Sequence, residues 1–168
     1  MTSLDPAYEA PSLRAPHPGD LMAVWPAASP FLSRVRVAVR SWLTRHDWPR
    51  EPADDIILAA DEAVANAIVH AYRPAADLSG AARVHLHAWV SVEPRTRVRR
   101  VVVAVTDRGR WRSEPEGGAM PGRRQHGLDM MNGVMAETHI QRSPAGTTVI
   151  LVSPTEEAHA PAPGDAGA

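Results

Sequence analysis

The 168-residue chain contains no cysteine and no lysine. Without thiols there is no disulfide framework, no thiolate metal site and no cysteine nucleophile. All 18 basic residues are arginine, which removes the P-loop lysine, the strand lysine of eukaryotic-type protein kinases and every Schiff-base mechanism. A nucleotide, if one is handled, must be held by some other architecture. No Gly-x-Ser-x-Gly nucleophile elbow occurs either. No apolar run is long enough to cross a bilayer, and the opening MTSLDPAYEAP lacks a basic-then-apolar signal pattern. The expected setting is therefore the cytoplasm, with no membrane partner. A formal net charge of -1 and a pI near 6.7 give no reason to expect direct nucleic-acid binding.

What is present reads as one domain with tails. The hydrophobic fraction of 44% is enough for a real core. Residues 1–19 and 154–168 are rich in proline or small residues and lack periodicity, so both are expected to be disordered. Between them, 20–153 alternates recognisable elements. Asp20 to Trp25 is a short strand. From Pro30, apolar Leu32, Val35, Val39, Trp42 and Leu43 follow a helical period, with Ser29 as the expected cap and Pro30 suited to the first turn. Glu51 to Tyr72 predicts a second helix ending before Pro74. Two β-branched runs, from Arg83 and from Arg97, predict strands joined near Glu93–Arg95. A patternless stretch, Arg108 to His126, is long enough for a lid. Gly127 to Met135 predicts a short helix, and the last run forms a hairpin turning at Pro144–Gly146. The order β-α-α-β-β-loop-α-β-β implies an α+β two-layer sandwich, with a mixed, mostly antiparallel sheet and helices on one face.

The second helix carries an unusual stripe. Ile57, Ala60, Val64, Ile68 and Ala71 make one apolar face for the sheet. Glu62, Asn66 and His70, spaced four and four, stack on another face beside Ala59, Ala63 and Ala67. A solvated helix face usually carries long charged side chains, whereas here a carboxylate and an amide stand among methyl groups that let a ligand approach. The carboxylate can accept a proton, and the amide oxygen is a suitable neutral ligand for Mg²⁺. Three further pieces join this stripe. Asp107 ends a buried strand and Gly109 follows, giving an acceptor for an exocyclic amine beside room for a flat ring. Gly127 precedes the short helix, whose free N–H groups could hold phosphate. Gly146-Thr147-Thr148 brings hydroxyls into the final strand.

In this order and spacing the pieces resemble the Bergerat ATP-binding domain of histidine kinases, DNA gyrase and heat-shock chaperones. Within it the chain is most similar to bacterial anti-sigma-factor serine kinases, over roughly Asp20 to Ser153. DEAVANAIVHAY looks like the N-box, Asp107 and Gly109 like the first glycine box, GLDMM like the second and GTTVIL like the third. The resemblance implies that ATP and Mg²⁺ bind. Asn66 would be the metal ligand and Glu62 the general base toward a serine hydroxyl. Asp107 would read the adenine amino group, with Gly109 and Thr147 beside it. Gly127 would start the helix approaching the phosphates, Leu128 would belong to the same box, and Arg123 or Arg124 would add positive charge. It also implies a sigma factor and an anti-sigma antagonist protein as partners, and a homodimer. Two residues depart from the usual boxes: Trp111 and Gln125 stand where glycines are expected. The alternative function is a nucleotide-gated binding module with little kinase activity.

Other features point to packing. The basic run RTRVRR, Arg95 to Arg100, reads as a solvated hairpin. His85 and His87 share a strand face without a third ligand nearby. Trp42, Trp48 and Trp89, and Met130, Met131 and Met135, read as core.

Overall fold

A computed structural model describes residues 13–71, 82–109 and 121–157, apart from the side chains of residues 70, 71 and 121–125. Strand β1 (Leu21–Pro26) leads into a 3₁₀ turn (Ser29–Phe31) and helix α1 (Leu32–Arg45), followed by helix α2 (Arg50–Ala71). Strands β2 (Arg83–Val92) and β3 (Val98–Asp107), helix α3 (Pro121–Val134), and strands β4 (Glu137–Ser143), β5 (Gly146–Val152) and β6 (Glu156–Glu157) complete the order. The sheet runs β1-β2-β3-β5-β4, with β6 pairing the start of β3. Every pairing among the described residues is antiparallel. The helices pack on one face, which is the α+β two-layer sandwich the element order implies, with the described sheet wholly antiparallel rather than mixed.

Among the boundaries that differ from the sequence reading, including a short strand β6 within the expected C-terminal tail, two stand out. Ser29 does not cap α1: it opens the 3₁₀ turn, and neither that turn nor α1 has a side-chain cap. Pro30 does sit in the first turn, where its missing N–H costs nothing. The second difference matters more. Helix α3 begins at Pro121, six residues before Gly127, so Gly127 lies in its second turn and its N–H is not one of the free donors. Proline suits a first helical position, a signal obscured by the polar residues after it.

Helix α1 ends in a Schellman arrangement. The Trp48 N–H reaches the Leu43 carbonyl at 3.1 Å and the Asp47 N–H reaches that of Thr44 at 3.1 Å, with Asp47 at φ 48°, a conformation aspartate tolerates better than most residues. Arg99 secures this turn. Its guanidinium donates to the carbonyls of His46 and Asp47 at 2.7 Å each and lies 4.6 Å from the Trp48 ring centroid. The basic run is thus not wholly solvated; one of its arginines fastens the helix connection to β3.

Helix α2 is wedged between α1, α3 and the sheet, and its sequence suits that position. Ile56, Ala59, Ala60, Ala63, Val64 and Ala67 are all buried, a wider apolar surface than a single stripe. Small residues are required where three neighbours converge on one helix. With Val35, Val39, Trp42, Leu43, Leu86, Val103, Val105, Met131 and Leu151 they form the main core. Burying each large side chain here is worth about 1.5–3 kcal/mol. The segment ahead of β1, expected to be tail, makes specific contacts where it is described. Gly19 O accepts from the Trp42 indole at 2.7 Å. The Asp20 carboxylate accepts from Arg14 at 2.5 Å and His87 at 2.9 Å.

Candidate functional site

Sheet register decides which residues meet. β3 is central, and its last residue, Asp107, lies opposite Thr147 on β5. Alternation along the two strands aims Val105, Asp107, Thr147 and Val149 toward the helices. Asp107 is 3% exposed, and its carboxylate accepts the Gly109 N–H at 3.0 Å. Burial raises its pKa above the ordinary value, while hydrogen bonds from the backbone of Gly109 and Thr147 only partly offset that. Thr147 is also 3% exposed, and its hydroxyl has no partner among the described residues. A buried, unsatisfied hydroxyl beside a buried carboxylate is costly unless something polar completes it.

The space they face is a cleft with about 460 Å³ free of protein atoms, part of it open to solvent. Asn66, Ala63 and Ala67 from α2, Leu128 and Met131 from α3, and Ile140 from β4 line the rest. The walls are mostly apolar with a few convergent polar groups, the usual character of a small-molecule site. The alanines of α2 let the cleft come close to the helix backbone, as the stripe suggested.

Two glycines make the geometry possible. Gly146 has φ 139°, and any Cβ there would overlap the Asp107 carbonyl; the β4–β5 hairpin can press against β3 only because the side chain is absent. Gly127 is buried on α3, and a Cβ there would run into the carboxylate of Glu62. Glu62 thus lies one helical turn before Asn66 with its side chain resting against α3.

The cleft therefore gathers Asn66, Asp107, Leu128 and Thr147, with Gly109 bonded to Asp107 and Glu62 and Gly127 in contact beside it. For Arg123, Arg124, Gln125 and His70 only the helix backbone is described, and Trp111 lies outside the described residues altogether. The sequence reading missed Met131 and Ile140 as cleft walls. Helical spacing marked Met131 as core, but no local signal separates a core wall from a cleft wall, and Ile140 was not singled out. His85 and His87 do share a face; His87 bonds Asp20 and stacks near Trp89 at 4.7 Å. No cluster of three or more potential metal-ligating His, Cys, Asp or Glu residues occurs among the described residues.

Residues 26–153 match the family model described as histidine kinase-like ATPase domain. The chain belongs to that family. The matched span holds every element from α1 to β5, so the Bergerat ATP-binding fold accounts for the sandwich, and ATP is the ligand this histidine kinase-like domain implies. Among solved structures it is similar to the RsbU and RsbW domains of Rv1364c from Mycobacterium tuberculosis, with 27% identity and a TM-score of 0.58 over 86% of this chain. The chain spans only 35% of that structure's length. A blue-light activated histidine kinase from Erythrobacter litoralis is 25% identical over 74% of this chain and 41% of its own, with a TM-score of 0.46. No curated protein gives a significant match. No helix among the described residues is long and apolar enough to cross a membrane.

Proposed function

We propose that this domain is an ATP-dependent serine/threonine kinase of the anti-sigma type, which sequesters a sigma factor and phosphorylates an anti-sigma antagonist. The observation that carries the reading is one cleft combining the buried Asp107 carboxylate, the orphan Thr147 hydroxyl and the Asn66 amide, with Glu62 one turn away. Asp107 accepts from the adenine amino group, and the Thr147 hydroxyl gains the partner it lacks. Gly109 and Leu128 border the base. The Asn66 amide oxygen is a hard, neutral donor of the kind Mg²⁺ takes. The bound metal supplies charge neutralisation at the phosphates. Arg123 or Arg124, on the first turn of α3, adds positive charge. Glu62 takes the proton as the antagonist hydroxyl oxygen bonds the γ-phosphorus and the bond to the β-phosphate oxygen breaks, releasing ADP. The likeness to a structure containing an RsbW domain supports the anti-sigma setting, and a homodimer working in the cytoplasm is part of the same proposal. Neither requires direct contact with nucleic acid.

The test pairs nucleotide titration with phosphotransfer from labelled ATP to candidate antagonists. Glu62→Ala is expected to keep nucleotide and lose transfer by about 10²–10⁴-fold. Tight ATP binding by the native chain without transfer to any serine or threonine refutes the kinase assignment. It would favour a second reading, a nucleotide-gated binding module, for which Trp111 and Gln125, standing where the usual boxes have glycines, already speak.

A further inference from the structure

Strands β1 and β4 stand at the two edges of the sheet, and their sequences treat that exposure differently. An open strand edge offers unpaired N–H and C=O groups to any other chain, and soluble proteins usually guard it with charge, proline or a bulge. β4 is guarded: ETHIQRS carries Glu137, His139 and Arg142, and Glu137 is tied to His139 at 2.9 Å. β1 reads LMAVWP, without a charged residue, and pairs with β2 in unbroken register, without a bulge. Its Met22 and Val24 are 55% and 52% exposed, so among the described residues nothing lies over them.

Register fixes which backbone groups of β1 point outward. The Ala27 N–H reaches the Ala82 carbonyl at 3.0 Å, continuing a ladder in which Trp25 opposes Val84 and Ala23 opposes Leu86. Hydrogen-bonded pairs alternate along an antiparallel ladder, so Leu21, Ala23 and Trp25 turn their backbone groups to β2. Met22, Val24 and Pro26 turn theirs to the open edge. Pro26 agrees with this parity, since a residue without an N–H is tolerated where no ladder bond is required. Outward backbone groups and exposed apolar side chains thus belong to the same residues, Met22 and Val24. Such an edge matches itself. Two copies set antiparallel about a two-fold axis at Ala23 place Met22 of each against Val24 of the other, and each outward N–H meets an outward carbonyl. The small Ala23 faces its own counterpart, Leu21 meets Trp25 on the helix side, and no like charges approach.

We propose that β1 is the interface through which two copies of this chain join, edge to edge and antiparallel, with Met22 and Val24 exchanging backbone hydrogen bonds across the axis. It supplies the contact of the proposed homodimer but does not depend on the kinase assignment, since β1 contributes no residue to the cleft. Sedimentation of the full chain over a wide concentration range is expected to show a monomer–dimer equilibrium. Amide exchange at Met22 and Val24 is expected to slow as the dimer forms. The double variant Met22→Lys/Val24→Lys sets like charges against one another across the axis. Both sites are exposed, so it should keep its fold and its nucleotide affinity while the dissociation constant rises at least about 10-fold. Gln141→Lys, on the opposite edge, should leave the dimer unchanged. Should the paired lysines disturb the strand, amide exchange in the native chain still decides. A chain that stays monomeric throughout, or a dimer that the double variant leaves intact, overturns the proposal. So does equal protection of the Met22 and Val24 amides in dilute monomer, which would show that a segment of the same chain pairs with β1. Failure of the native chain to bind nucleotide or transfer phosphate bears on the kinase assignment and not on this contact.

Discussion

Replacing Gly127 by alanine separates the two tasks assigned to helix α3. An added Cβ overlaps the carboxylate of Glu62, with Cδ at 2.9 Å and Cγ at 3.3 Å. The nearest obstacles are therefore all atoms of one flexible side chain, and no backbone need move. In a helix interior alanine is favoured over glycine by about 0.5–1 kcal/mol. Displacing Glu62 into a poorer rotamer costs about 0.5–1.5 kcal/mol. The two nearly cancel, so Gly127→Ala should unfold within about 1 kcal/mol of the native chain. Activity should not be spared. A carboxylate shifted by about an ångström from its working position costs on the order of 100-fold. The variant should therefore fold, bind ATP with native affinity and transfer phosphate at least about 100-fold more slowly. Urea denaturation, nucleotide titration and labelled-ATP transfer report the three quantities. Native transfer rates would refute Glu62 as the base, and a loss of more than about 2–3 kcal/mol in stability would show that the methyl group strikes the backbone instead.

Gly146→Ala should behave oppositely. Its Cβ meets the backbone of Asp107 and Arg108 at φ 139°, so denaturant titration should show a loss of about 2–4 kcal/mol and weakened nucleotide binding. For Asp107, burial raises the folded pKa, so the native state holds its proton to higher pH than the unfolded chain does. Its contribution to stability falls as pH rises from near the ordinary 3.8 through the raised folded value, then levels off. Asp107→Asn should gain stability relative to the native chain across that window, measured by denaturant titration at several pH values, yet bind ATP about 10- to 100-fold more weakly for want of a charged acceptor. Arg99→Ala removes two carbonyl contacts and the Trp48 stack, which should cost about 1–3 kcal/mol in thermal or urea unfolding. Arg99→Lys should restore only part of that, since an ammonium cannot fork to both carbonyls while stacking.

Much of this molecule is written in local pattern. Period-two runs gave β2 and β3, a 3.6-residue period gave α1 and α2, and the alternation of small and polar residues on α2 marked Glu62 and Asn66 before any fold was known. Local pattern failed where partners come from elsewhere in the chain. The start of α3 at Pro121 was obscured by polar residues, and Arg99 looked solvated because its partners lie about fifty residues earlier. The sequence by itself determined the elements, their order and the residues able to do chemistry, because periodicity and residue type are properties of neighbours along the chain. Only the tertiary structure decided that Thr147 faces Asp107 across the sheet, that Gly127 meets Glu62, and that β1 stands at the edge of the sheet. Each of these depends on register and close approach between segments far apart in sequence, which no window along the chain contains.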